Sequence, residues 1–82
     1  MQIRNEKIES QINNLKIGDA FESINSNQKF LLERKIEKQA GKKLPEPLFV
    51  WNYLDSEKTF TNRVEDVRRA LLYKNWIKYE NL

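Results

Sequence analysis

The densest concentration of chemically capable side chains lies near the C-terminal end of the sequence. There Arg63, Arg68, Arg69, Lys74 and Lys78 are interleaved with Tyr73, Trp76 and Tyr79. Cations among aromatic rings can hold phosphates and stack bases. Trp, Tyr and Arg are equally the residue types that dominate protein–protein hot spots. One oxygen-ligand pattern also occurs, with Asp55, Glu57, Thr59 and Asp66 at the first, third, fifth and twelfth positions of a calcium-loop register. The register breaks at its sixth position, where Phe60 stands in place of the glycine needed for the sharp turn. A plain polar loop is the simpler reading. Neighbouring carboxylates such as Glu65 and Asp66 diverge by about 100° on a helix and cannot flank one bond. Near a helix N-terminus they complement its dipole.

Composition removes most common catalytic designs, and nothing at hydrogen-bonding spacing activates the single serines and lysines. The sequence contains neither His nor Cys, so it offers no conventional triad, no thiol nucleophile and no tetrahedral zinc site. Its two glycines, Gly18 and Gly41, form no phosphate-cradling loop. No cofactor and no metal are implied.

Two surfaces are left as candidates. On a helical wheel Leu72, Trp76 and Tyr79 follow the i, i+4, i+7 rule, bordered by Arg68 and Arg69, with Phe30 on an earlier segment. That set is the candidate protein-binding surface, and a homodimer is one way of using it. The simpler alternative for the stripe is packing inside the chain's own core. A basic patch assembled from Arg34, Lys38, Lys42, Lys43, Arg69 and Lys74 is the candidate nucleic-acid surface. On the last helix alone the cations scatter around the wheel, so such a patch has to be composite.

Length and composition bound the fold that must position these residues. At 82 residues the chain has room for a single domain, residues 1–82, with a small stability margin. Leu, Ile, Val and Phe together exceed the roughly one-fifth share below which disorder is expected. Fifteen basic against 12 acidic residues leave a net charge of +3 spread along the chain, a mixed and mildly basic surface. The first ten residues have no apolar core of the signal-peptide kind, and no apolar run approaches the roughly 20 residues of a membrane span. The expectation is a soluble, cytoplasmic protein without membrane insertion, in the host cell's cytoplasm if phage-encoded.

In chain order, Ile8, Ile12 and Leu15 predict a helix over about residues 3–16, stopped at Gly18. Asn25, Ser26 and Asn27 read as N-caps of a second helix, residues 28–40, whose apolar arc is Leu31, Leu32, Ile36 and Ala40. Gly41 then stands at its left-handed C-terminal position. Residues 44–47, Leu-Pro-Glu-Pro, form a stiff connector. Residues 48–54 are compatible with a short helix or, from their aromatic and β-branched content, a short strand. The helix is preferred, because no other segment alternates to pair with a strand. Residues 62–79 read as one long helix, with Asn62 at the cap and Glu65 three residues on.

The expected architecture is therefore all-α, a small single-domain bundle of three longer helices plus one short helix. The expected function is a small non-enzymatic regulatory protein that binds a larger protein partner. In size and composition the chain resembles the small accessory proteins of phages and mobile elements that inhibit or modulate a host protein. The alternative is a small basic nucleic-acid-binding protein.

Overall fold

The computed structural model describes residues 5–80, and its architecture corrects the all-α expectation. Helix α1 (Glu6–Asn13) is followed by strands β1 (Ala20–Ser23), β2 (Lys29–Gln39), β3 (Lys42–Tyr53) and β4 (Thr59–Arg63). Helix α2 (Val64–Leu72) and strand β5 (Trp76–Lys78) complete the chain. The five strands form one antiparallel sheet in the order β4-β3-β2-β1-β5. Strands β1 to β4 are a meander, and α2 crosses it to deliver β5 to the far edge. Both helices lie on the same face of the sheet.

The expected helix over residues 28–40 is β2, and irregular pairing explains the misreading. A register shift between Leu32 and Arg34 leaves Glu33 without a cross-strand partner, and a second falls between Ile36 and Lys38. Such bulges interrupt the two-residue alternation. The apolar positions Leu31, Leu32 and Ile36 consequently acquire a spacing that mimics a helix. Gly41 does adopt a left-handed conformation, but beside Ala40, with φ of 78° and 53°. Two consecutive positive φ values between the paired Gln39 and Lys42 describe a type I′ hairpin turn, the form whose twist suits antiparallel strands.

The predicted short helix over 48–54 is the second half of β3, whose partner is the strand that sequence alternation failed to reveal. Pro45 and Pro47 sit in the part of β3 that β4 does not reach, where a missing N–H costs no ladder bond. The long C-terminal helix is halved. Its cap is Arg63, whose backbone N–H donates to the Asp66 carboxylate at 2.9 Å, one residue later than the expected Asn62 and Glu65 pair. It ends at Leu72. Lys74 follows with a φ of 58°, and the Asn75 N–H donates to the Ala70 carbonyl. Trp76 to Lys78 then pair with β1, so sheet formation overrides helix propensity there. Helix α1 falls within its expected span, capped by Asn5, which accepts from the Lys7 and Ile8 N–H groups. Expected residues 3 and 4 lie outside the described residues.

The core is aromatic and lies between the sheet and the helices. Trp51 and Leu32 are fully buried, joined by Phe21, Phe30, Phe49, Val67 and Leu71, with Ile12 and Leu15 closing the α1 side. Trp51 meets Phe30 edge-on at 5.5 Å between centroids, Phe21 at 5.8 Å and Trp76 at 5.1 Å. Edge-to-face pairs add roughly 0.5–1.5 kcal/mol each beyond the area they bury. The Trp51 indole N–H is satisfied by the Asn62 side-chain oxygen at 2.9 Å.

Candidate functional site

Cross-strand partners share a face of a sheet, so the registers sort the functional candidates. Phe21, Phe30, Leu32, Trp51 and Phe60 face the helices. Leu31, Arg34, Ile36, Leu48, Val50, Asn52, Thr61 and Arg63 face the other way, where no helix covers them.

The structure does not bring the Leu72, Trp76, Tyr79 stripe together. Trp76 faces the core, 4.6 Å from the Phe30 ring centroid and 5.9 Å from that of Phe21. Phe30 itself is buried. Tyr79 lies on the uncovered side, with the Lys29 ammonium 5.4 Å from its ring centre. Leu72 stays half-buried at the end of α2. The two bordering arginines are also engaged. Arg68 forms a two-pronged ion pair with Glu9 of α1, at 2.7 and 2.9 Å, and Arg69 pairs with Glu65 one turn away at 2.8 Å. The Glu9 hydrogen bond raises the Arg68 pKa. Burial opposes this, and the Glu9, Glu46 and Glu65 charges reinforce it. Arg68 thus ties α1 to α2.

Beside that ion pair is a groove of about 470 Å³, lined by Glu9, Lys35, Glu37, Glu46 and Arg68 together with Ile12, Phe49 and Val64. Its cations are occupied. Arg68 holds Glu9, and the Lys35 ammonium donates to the Leu15 carbonyl. The acidic positions of the calcium-loop register are separated. Asp55 and Glu57 stand in the β3–β4 turn, while Asp66 caps α2 beyond strand β4. No cluster of acidic residues suited to a metal occurs among the described residues.

Four of the six candidate nucleic-acid residues gather in one place. β1 pairs with β2 only over Lys29 to Leu31, and β4 pairs with β3 only over Leu48 to Asn52. Beyond those points β2 and β3 project as a two-stranded ribbon that ends at Ala40 and Gly41. Lys38, Lys42 and Lys43 belong to it, Arg34 stands at its base where β4 still flanks β3, and all four are exposed. Lys38 stands directly opposite Lys43, and Gln39 opposite Lys42. Lys35 and Glu37 both line the groove on the helix side, so β2 keeps its alternation through the second register shift, which places Lys38, and with it Lys43, on the uncovered side with Arg34. Arg69 and Lys74 belong to the α2 end and are not part of this cluster.

The ribbon's charges divide between its two faces. Glu37 lines the groove on the helix side with Lys35, and Glu46 lines both that groove and a hollow beside Leu48 and Arg63. The uncovered side carries Arg34, Lys38 and Lys43, and Arg63 of β4 joins them across β3 from Ile36. Among the described residues none of these four cations takes part in an ion pair. Arg63 is a member that sequence reasoning assigned to a helix instead. Its only sequence signal was its charge, because the β4 pairing that places it depends on residues far away in the chain.

The uncovered face also has an apolar centre. Leu31, Ile36 and Leu48 are half-buried, and Ile77 at the far edge is 47% exposed. Within it the Asn52 side-chain oxygen is shielded from solvent without a hydrogen-bond partner. No helix among the described residues is long and apolar enough to cross a membrane. No protein-family model, no curated protein and no solved structure matches the chain.

Proposed function

We propose that this protein binds nucleic acid through the uncovered side of its β2–β3 ribbon. The observation that carries this reading is the gathering of cations: Arg34, Lys38, Lys43 and Arg63 stand on the uncovered side, while Glu37 lines the groove on the other. A net charge of only +3 is too small to give a uniformly basic molecule, but this gathering supplies a local field that a mixed surface would cancel. Directly opposed lysines in an antiparallel pair are destabilising in isolation. An anion bound between them removes that cost, as phosphate contacts with Lys38 and Lys43 would. The function is binding, with no chemical step assigned to any residue.

The test is fluorescence anisotropy with labelled oligonucleotides at increasing salt. If all four cations meet phosphates, the logarithm of affinity should fall with the logarithm of salt at a slope of about −3 to −4. Replacing Lys38→Glu together with Lys43→Glu should abolish binding. Failure to bind single-stranded or duplex probes at low salt refutes the reading.

A second reading keeps the protein partner expected from the sequence and moves it to the apolar centre of the same face. Leu31, Ile36, Leu48 and Ile77 on one face support it, because exposed apolar area is a common mark of a protein contact. With Arg34 and Arg63 beside the patch, the partner it fits has an apolar surface rimmed by carboxylates. A second copy would oppose like charges. Under this reading, capture of a partner survives nuclease and is lost in Leu31→Glu combined with Ile77→Glu. Nuclease-sensitive capture returns the face to nucleic acid.

A further inference from the structure

The shape and lining of the ribbon narrow the nucleic acid further, an inference that rests on the nucleic-acid reading above. Two strands about 4.8 Å apart form a blade slim enough for the major groove of B-form DNA, which is about 12 Å wide and admits a two-stranded ribbon. Ile36 is opposite Leu48, the last β3 residue that β4 reaches, so the projecting residues from Glu37 to Gln39 reach about 10 Å at the usual rise per residue, close to the groove's depth of about 8.5 Å. The leading edge is small. Ala40 and Gly41 form the turn, and no atom approaches the position a Gly41 side chain would take. Immediately behind it stand Gln39 and Lys42, a cross-strand pair with the donors and acceptors that base edges require.

The alternatives fit less well. Unpaired bases need exposed aromatic rings to stack on, and the ribbon's one aromatic, Phe49, is buried in the core. Tyr79 lies beside Lys29, at the opposite end of β2 from the turn. Duplex RNA presents a deep and narrow major groove that side chains do not read. We infer that the β2–β3 ribbon enters the major groove of duplex DNA, with Gln39 and Lys42 at base edges and Lys38, Lys43, Arg34 and Arg63 on the flanking phosphates. Glutamine pairs naturally with adenine and lysine with guanine. A preferred site should therefore contain an adenine close to a guanine.

The experiment compares duplex DNA, single-stranded DNA and duplex RNA of equal length and salt, followed by selection from a randomised duplex DNA pool. Duplex DNA should bind roughly tenfold or more tightly than either competitor. The selected sequences should show a short preferred site. Gln39→Ala should flatten the preference at one base pair while leaving the salt slope unchanged. Lys38→Ala with Lys43→Ala should weaken all duplexes alike and reduce the slope by about 2. These three substitutions are on exposed positions, and far-UV circular dichroism checks that each variant folds. Salt-dependent binding that is equal or tighter for duplex RNA or single strands overturns the major-groove inference but spares the proposed function. Duplex DNA binding without a preferred site, or with one that Gln39→Ala leaves intact, overturns the assignment of base contacts. No binding to any probe overturns the function and the inference together.

Discussion

The two ends of the β2–β3 hairpin are made from the same strands and held by opposite means. At the base, Phe30, Leu32, Trp51 and Tyr53 turn inward beneath α2, where ring contacts and burial fix them. At the tip, Lys38, Lys42 and Lys43 bury nothing, and Lys38 opposes Lys43 across the ladder. A cross-strand pair adds only roughly 0.2–1 kcal/mol, of either sign, whereas a buried aromatic contributes several times that. The base therefore determines whether the chain folds. The tip is free to carry charges chosen for another purpose.

The sharpest way to break that comparison is at Trp51. Trp51→Ala removes the central ring of the core and should cost about 3–5 kcal/mol, a large part of the 5–15 kcal/mol available to a small domain. Its thermal transition, followed by circular dichroism, should lose cooperativity. Trp76→Ala should be milder, because Trp76 is only half-buried. A melt unchanged by Trp51→Ala would mean the aromatic cluster is not what holds the base together.

The same contrast governs how much could be read from the sequence. Helix α1, the start of α2 to within one residue and the left-handed Gly41 were legible, because each depends on residues within a few positions of one another, whereas α1 ends at Asn13, ahead of the expected stop at Gly18. The sheet was not. Glu33 in its bulge displaces the alternation of β2, and Pro45 and Pro47 disguise β3, whose ladder with β2 closes only over long range. Trp76 looked like a helical interface residue because its true partners, Phe21, Phe30 and Trp51, lie far away in sequence. For the candidate site, the charges of Arg34, Lys38, Lys42 and Lys43 were legible and their sorting was not. Which side of a strand a lysine occupies depends on register, and register follows from pairing.

A smaller effect is expected at the junction between the helices. Arg68→Met leaves Glu9 without this guanidinium in a half-buried site and should cost about 1–3 kcal/mol. Its raised pKa fixes the sign of the pH dependence. A cation whose folded pKa lies above its unfolded value contributes stability below the ordinary arginine value and loses it only as pH rises through the folded one. Urea midpoints should therefore show no loss attributable to Arg68 across the neutral range, and the Arg68→Met deficit should be constant there. Nucleic-acid affinity should be unaffected, since this ion pair faces the groove rather than the uncovered side.

The smallest expected effect is the most discriminating, because stability and binding should move in opposite directions. Lys38→Ala removes one of two opposed like charges at a position that buries nothing. At low salt it should stabilise the fold by a few tenths of a kcal/mol, read as a small rise in melting temperature. Lys38→Glu should raise it further by creating an opposite-charge pair with Lys43. Both substitutions should weaken nucleic-acid binding, Lys38→Glu more strongly. Added salt should shrink the stability differences, because exposed charges are screened over about 10 Å at 0.1 M ionic strength. A drop in melting temperature with Lys38→Glu would show that the tip lysines serve the fold. Unchanged stability with unchanged binding would remove Lys38 from the contact surface and shift attention to Arg34 and Arg63 at the base of the ribbon.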